Sequence, residues 1–161
     1  MFNKLLSCTA ALFFLSAFCL SMSFAQEQSI KKKEMPKGIL ASFQKAYPKA
    51  KTVGFSKETD EGEVFYEIES TEGTIHRDVT YAADGSLLSV EETLPLDQLP
   101  EPVRSTISNE YPGAKVTRCE KVTKPSSTEF EVVVSSGKQN YELVLSEDGT
   151  VLKKETKKNG K

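Results

Sequence analysis

The sequence contains no tryptophan and a single histidine, His76, among its 161 residues. A zinc site would therefore need several Asp or Glu ligands in place of the His and Cys side chains that zinc usually takes. A Ser–His–Asp arrangement would depend on His76, and no Gly-x-Ser-x-Gly motif accompanies it. The nine glycines are scattered singly through predicted turns, so the chain has no glycine-rich phosphate loop. We predict that the protein is not an enzyme, with no catalytic residues, no assigned metal ligands and no cofactor.

Long hydrophobic runs are also scarce, and the only one extends from Leu5 to Leu20. It follows Lys4, and it is shorter than the ~20 residues of a membrane span. Ser23-Phe24-Ala25 then supplies small residues for cleavage. The sequence predicts a signal peptide over residues 1–25, cleaved after Ala25, and a periplasmic or secreted protein without a membrane span. Lipid attachment at Cys19 is the alternative, although the bulky Phe18 precedes it.

Cysteine is scarce as well. Cys8 and Cys19 lie in the predicted signal peptide, so Cys119 would be the only thiol of the mature chain and no intrachain disulfide could form. Cys119 aligns with Phe55 in the repeat described below, which predicts a small buried residue. A reactive thiol is the alternative.

Charge of one sign does not dominate the chain. Removal of the signal peptide leaves 20 basic and 23 acidic residues, a net charge of −3 with His76 neutral. Nucleic-acid-binding proteins carry a strongly basic surface, and this chain has none to offer. We therefore expect no nucleic-acid partner.

The sequence contains an internal repeat. A shift of 64 residues aligns the chain with itself without a gap. Such a repeat indicates that both copies fold as the same unit. The boundaries predict an N-terminal tail over 26–34, repeat 1 over 35–94, a linker over 95–98, repeat 2 over 99–156 and a C-terminal tail over 157–161. The aligned anchors are Met35-Pro36 with Leu99-Pro100, Tyr47-Pro48 with Tyr111-Pro112, and Asp84-Gly85 with Asp148-Gly149.

Each copy begins with an amphipathic helix, with a proline expected at its first position and a Tyr-Pro pair at its end. Four alternating strands follow in repeat 1, at 51–57, 64–70, 75–82 and 86–91, separated by turn residues. The predicted fold is α+β, with one helix packed on a four-stranded antiparallel meander in each repeat and the two sheets aligned into one broad sheet. The residues predicted to face the helices are Val53, Phe55, Val64, Tyr66, Ile68, Val79, Tyr81, Leu88 and Val90, then Cys119, Phe130, Val132, Tyr141, Leu143, Leu145 and Leu152.

The opposite, open face of the predicted sheet carries a row of carboxylates. A four-residue turn over 71–74 and a two-residue Asp84-Gly85 loop would place Glu67 opposite Asp78, and Asp78 opposite Glu91. Glu131, Glu142 and Glu155 repeat this row 64 residues later. Phe65 lies on the same face as an apolar contact, and Arg118 is expected opposite Glu131.

Like charges directly opposite each other destabilise a sheet. A row kept in both repeats therefore suggests a counter-charge, either Lys or Arg from a protein partner or a hard cation such as Ca²⁺. An acidic face that serves only solubility is the alternative without a function.

The ordered markers resemble the PepSY-like family of β-lactamase-inhibitor-like proteins. These markers are Met35-Pro36, Tyr47-Pro48-Lys49-Ala50-Lys51, Glu67, Asp84-Gly85 and Glu91, with their counterparts in repeat 2. The resemblance implies a bacterial periplasmic or secreted protein with a concave sheet, and a partner among secreted or envelope proteins, hydrolases included. It transfers no catalytic residues. The disulfides of characterised inhibitors are missing here, since the mature chain has one cysteine.

These observations predict a non-enzymatic, inhibitor-like protein-binding module. Its expected binding residues are Phe65, Glu67, Asp78, Glu91, Glu131, Glu142 and Glu155. A small-ligand or Ca²⁺-binding envelope protein is the second hypothesis, and a purely structural envelope component is the third.

Overall fold

A computed structural model describes residues 26–157 as an α+β fold with nine strands and two helices. The predicted signal peptide and residues 158–161 lie outside the described residues. The helices are α1 (Lys37–Ala46) and α2 (Glu101–Glu110). The strands are β1 (Gln26–Ser29), β2 (Lys51–Asp60), β3 (Glu63–Glu72), β4 (Ile75–Ala82), β5 (Leu87–Thr93), β6 (Lys115–Lys124), β7 (Ser127–Ser136), β8 (Gln139–Ser146) and β9 (Val151–Lys157). No helix in this described part is long and apolar enough to cross a membrane.

Both helices end for the same local reason. Tyr47 and Tyr111 leave the helical conformation because each precedes a proline, and each backbone N–H still bonds the carbonyl of the residue four positions earlier. The predicted start is displaced by one position. Pro36 and Pro100 are N-cap residues with extended ψ angles of 131° and 145°, not first helical residues.

All nine strands form one antiparallel sheet in which every strand pairs with its neighbours in sequence. The two repeats join where β5 pairs with β6, with Glu91 opposite Val122. Each helix packs on its own repeat: Ile39 and Phe43 contact the β3–β5 core, and α2 contacts the β6–β8 core. Val90 of the first core pairs with Thr123, and Thr123 lies four positions along β6 from Cys119 of the second core, so the two lie on one face. Both helices therefore cover the same sheet face. The predicted α+β class and the single broad sheet are therefore confirmed.

Four β-bulges interrupt the strands at two equivalent places in the repeats. The extra residues are Val53 and Thr117 in the first strand of each repeat, and Leu88 and Leu152 in the last. A bulge breaks the alternation of side chains between the two faces. Val53 and Leu152, predicted as core residues, are accordingly 56% and 55% exposed.

Residues 26–34, assigned to an N-terminal tail, contain a strand and a short 3-10 helix at Lys32–Glu34. The strand β1 pairs with β2 from Gln26 opposite Thr59 to Ser29 opposite Ser56. Its sequence Gln-Glu-Gln-Ser has no apolar alternation by which it could have been predicted. It covers an edge of β2 that would otherwise expose unpaired backbone groups.

Candidate functional site: the acidic sheet face

The face of the sheet away from the helices, called the open face below, carries all seven residues predicted to bind a partner. Strand pairing settles this, because residues opposite each other lie on one face and alternate residues share it. Six of them are partly buried and Glu155 is exposed. These residues are Phe65, Glu67, Asp78, Glu91, Glu131, Glu142 and Glu155.

The predicted register of the β3–β4 hairpin is wrong by two residues. Glu67 lies opposite Thr80, and Asp78 lies opposite Glu69. The reason is the turn, which has two loop residues and not four. Gly73 takes its first position with a φ of +63°, as a tight hairpin with glycine at that position requires.

The pairing of Asp78 with Glu91 is confirmed, although the loop beyond it differs from the prediction. Ala82 pairs with Ser86, so the turn contains three residues, Ala83, Asp84 and Gly85. The bulge at Leu88 then restores the expected register. The longer loop and the bulge shift the register in opposite directions, so their effects cancel. The carboxylates of Asp78 and Glu91 therefore remain directly opposite each other.

The open face continues through repeat 2, where the carboxylates have different partners on the neighbouring strands. Glu142 lies opposite Glu155 as predicted, whereas Glu131 lies between Val144 on β8 and Glu120 on β6. Arg118 lies opposite Val133, and not Glu131, because two loop residues separate Lys124 from Ser127 and the pairing continues unbroken from that turn to Arg118. Its guanidinium approaches Glu120 at 3.4 Å and Glu142 at 3.6 Å.

The densest group of carboxylates lies where the repeats meet. Oxygens of Glu91, Glu120 and Glu131 come within 4.8 Å of one another. Val122, opposite Glu91, is 3% exposed among them. Glu120 was not among the predicted binding residues, because its equivalent in repeat 1 is Ser56 and the two repeats share no carboxylate at this position. Strand alternation from Glu131 across β6 is the signal that could have found it.

Burial and mutual repulsion raise the pKa values across this face. The pKa of Glu67 rises from its ordinary 4.5 to about 7, first because the carboxyl is partly buried and then because Asp78, Glu27, Glu69 and Glu91 repel its charge. Burial is also the first cause of the raised pKa of Asp78. At pH values between 4.5 and about 7, Glu67 therefore keeps a proton that an ordinary carboxylate would have lost.

Carboxyl pKa values are also raised where the two repeats meet, but a nearby positive charge partly offsets the rise. Burial raises the pKa of Glu91, Glu120 and Glu131, and neighbouring carboxylates add to the rise for each. Arg118 opposes the rise at all three. Repulsion thus extends across both repeats, while the counter-charge comes from repeat 2.

Cys119 and His76 are the two side chains considered above as reactive groups. Within the described residues, neither belongs to a catalytic arrangement. Cys119 is buried in the α2 core as predicted, and burial raises the pKa of its thiol to about 11. A thiol with so high a pKa has little of the nucleophilic thiolate at neutral pH. His76 is exposed at the beginning of β4.

We predict that the free energy of unfolding falls as pH rises from 4.5 towards 7, because Glu67 keeps its proton in the folded protein after the unfolded chain has lost it. Glu67→Gln should flatten this decline and leave the variant more stable than the parent at about pH 8. Urea unfolding at about pH 5 and about pH 8 measures both effects. Glu63→Gln, at an exposed position of the same strand, is the control and should keep the parent slope. A parent protein that is equally stable at the two pH values would contradict the prediction.

Comparison with known proteins confirms the family resemblance of the sequence markers. A family model described as "Putative beta-lactamase-inhibitor-like, PepSY-like" matches residues 22–89 and 64–153. These overlapping regions together include both helices and most of the sheet. No functionally curated protein sequence matches the chain.

Solved structures share the fold over most of its length. A BLIP-like protein from Bacteroides fragilis is 25% identical, with a TM-score of 0.62, over 78% of this chain and 89% of its own. A DUF2874 family protein from Bacteroides uniformis is 19% identical, with a TM-score of 0.65, over 76% of this chain and 89% of its own. A protein from Bacteroides eggerthii described as "putative periplasmic" is 18% identical, with a TM-score of 0.65, over 75% and 88%. The last two likenesses show the fold alone. By the extent of the family match, this chain belongs to the PepSY-like, beta-lactamase-inhibitor-like family.

Proposed function

We propose that the protein is a non-enzymatic, inhibitor-like binding module of the periplasm or the extracellular space, and that it binds a partner protein through its open face. The observation that carries this proposal is the set of partly buried carboxylates, drawn from both repeats, that share one uncovered sheet face. The helices occupy the other face, so a partner can reach these carboxylates without any rearrangement of the fold.

The electrostatics favour a partner that supplies positive charge. Each raised carboxyl pKa means that the ionised face is less stable than isolated carboxylates would be. Lys or Arg side chains brought by a partner would relieve this repulsion and form charge-assisted hydrogen bonds. Complementary potential also accelerates encounter and discriminates against wrong partners.

The arrangement of the repeats fits such a role. Two helix-on-meander units with sheets aligned edge to edge would give a broad, concave binding surface, like that expected for β-lactamase-inhibitor-like proteins. Phe65 is partly buried on this face and would add an apolar contact beside Glu67. Export by cleavage after Ala25 would bring the module to secreted or envelope proteins, hydrolases among them.

Affinity capture from crosslinked envelope extract tests the proposal. We expect the parent protein to retain a partner that the Glu67→Lys/Glu131→Lys variant loses, because the variant replaces two open-face carboxylates by cations. The matched control is Glu110→Lys/Glu147→Lys, which makes the same change of charge at exposed positions on α2 and in the β8–β9 loop. It should retain the partner.

Two results would contradict the proposal. If reversal of Glu67 and Glu131 leaves every captured protein in place, the open face is not the binding surface. If no variant captures a partner, a structural envelope role or the ligand-binding role below is favoured.

A second candidate function is Ca²⁺ binding at the junction of the repeats. The specific observation is the convergence of Glu91, Glu120 and Glu131, whose oxygens lie within 4.8 Å of one another. Carboxylate oxygens are the ligands that Ca²⁺ prefers, and it takes six to eight oxygens in flexible geometry. Side chains from β5, β6 and β7 would supply part of this set, and water the rest.

If this second function is correct, millimolar Ca²⁺ should raise the melting temperature of the parent protein, because a ligand that binds only the folded state stabilises it. Glu120→Gln should abolish the rise. Glu129→Gln changes a carboxylate of the same face that pairs with Lys124 at 2.7 Å, outside the group of three, and should keep the rise. An unchanged melting curve of the parent in Ca²⁺ would eliminate this candidate.

A further inference from the structure

Building on the proposed protein-binding function, we infer that an arginine side chain from a basic segment of the partner docks on the open face of repeat 1, at the position that Arg118 occupies in repeat 2. The open face is thus divided into two functional halves. Repeat 2 carries its own counter-charge, and repeat 1 takes one from the partner.

The internal repeat makes the comparison between the halves direct. Position 54 is equivalent to position 118, and each follows the bulged residue in the first strand of its repeat. Repeat 2 has Arg118 there, whereas repeat 1 has Gly54. The same place on the same face therefore holds a guanidinium in one repeat and no side chain in the other.

Arg118 shows how an arginine fits at this position. Its Nε lies 3.4 Å from Glu120 and its second guanidinium nitrogen, Nη2, lies 3.6 Å from Glu142. These carboxylates belong to β6 and β8, so one cation spans the width of three strands. The planar fork of a guanidinium suits such paired contacts better than the point charge of lysine.

Repeat 1 gathers more carboxylates and lacks this cation. Within the described residues, strand pairing places one Lys or Arg of β1–β5 on the open face, Lys51 opposite Thr71 at the beginning of β2, and no ion pair joins it to a carboxylate of this face. Arg77, the arginine of these strands, lies on the helix side, where it pairs with Glu92 at 2.6 Å and stacks on the ring of Tyr47. The open-face carboxylates of β1–β5 are Glu27, Glu58, Asp60, Glu63, Glu67, Glu69, Asp78 and Glu91.

Repeat 2 has cations on the open face in addition to Arg118. Lys124 pairs with Glu129 at 2.7 Å, and Lys153 pairs with Glu155 at 2.8 Å. The contrast between the halves therefore extends beyond one position. Charge complementarity favours docking of a cationic partner on repeat 1, where no ion pair among the described residues joins an open-face carboxylate to a Lys or Arg.

The Glu69 carboxylate fills the space that a side chain at position 54 would take. The Glu69 carboxylate lies over Gly54, and a Cβ atom built at Gly54 would lie 2.7 Å from the Glu69 carboxyl carbon. This carboxylate is the end of a flexible side chain and can move to receive a cation. Asp78 lies opposite Glu69, and Phe65 lies on the same side of β3. An arginine entering here would meet two carboxylates at once, which suits the planar fork of a guanidinium.

The test uses a tetra-arginine peptide as the probe and NMR of the exported, ¹⁵N-labelled protein as the readout, at about pH 8 where Glu67 is ionised. In the parent, we expect the peptide to shift amide signals of β3 and β4. Gly54→Arg supplies the counter-charge within the chain and should weaken binding at least about tenfold. Arg118→Gly should create a second set of shifts on β6–β8. Gly38→Arg adds the same charge at an exposed position of α1 and should leave binding unchanged.

A second pair of variants covers the outcome in which Gly54→Arg fails to fold. Glu69→Gln and Asp78→Asn remove charge without adding bulk, and each should weaken binding of the peptide. Peptide-induced shifts confined to β6–β8 in the parent, or equal affinity of parent and Gly54→Arg, would overturn the inference. Loss of capture by Glu67→Lys/Glu131→Lys together with either result would leave the proposed function standing. Retention of capture by that variant would overturn the proposed function itself.

Discussion

The antiparallel pairing of β5 with β6 is the constraint on which the rest of this structure depends. A repeat of about 60 residues buries too little surface to be very stable alone. Pairing Glu91 with Val122 extends one sheet through the other, and the strand period of two then fixes the face of every side chain beyond the junction. Both helices must cover one face, and the carboxylates of both repeats must share the other. The group formed by Glu91, Glu120 and Glu131 exists only because the repeats are joined in this register.

The hydrophobic cores hold the carboxylates in place against their repulsion. Ile68 stands between Glu67 and Glu69 on β3 and is fully buried, as are Val79 beside Asp78 and Val132 beside Glu131. Rotating a strand about its axis to separate the carboxylates would expose these apolar side chains. Burial of each one stabilises the fold by about 1.5–3 kcal/mol. The sheet therefore cannot relax the repulsion by changing its backbone. Protonation, Arg118 and a cationic partner are the routes that remain, and they account for the raised pKa values and for the proposed function.

The sequence predicts the elements of this fold well because the shift of 64 residues and the apolar periodicities are local signals. It fails where the geometry depends on a single backbone conformation. The role of Gly73 as the first of two loop residues sets the register of Glu67, and the bulges expose Val53 and Leu152. Strand β1 is polar and carries no periodic signal. Glu120 has no counterpart in repeat 1, so features shared by the repeats do not predict it, and its place among the carboxylates exists only at their junction.

The central claim is that the folded sheet holds like charges close together on its open face, so its most direct test is a site-resolved titration. Carboxyl ¹³C NMR of the protein alone, across the range from about pH 3 to about pH 9, reports the pKa of each Glu and Asp side chain. We predict that Glu67 titrates at about 7 and that Gly54→Arg lowers this value. Titration of Glu67 near 4.5, in the parent and the variant alike, would contradict it.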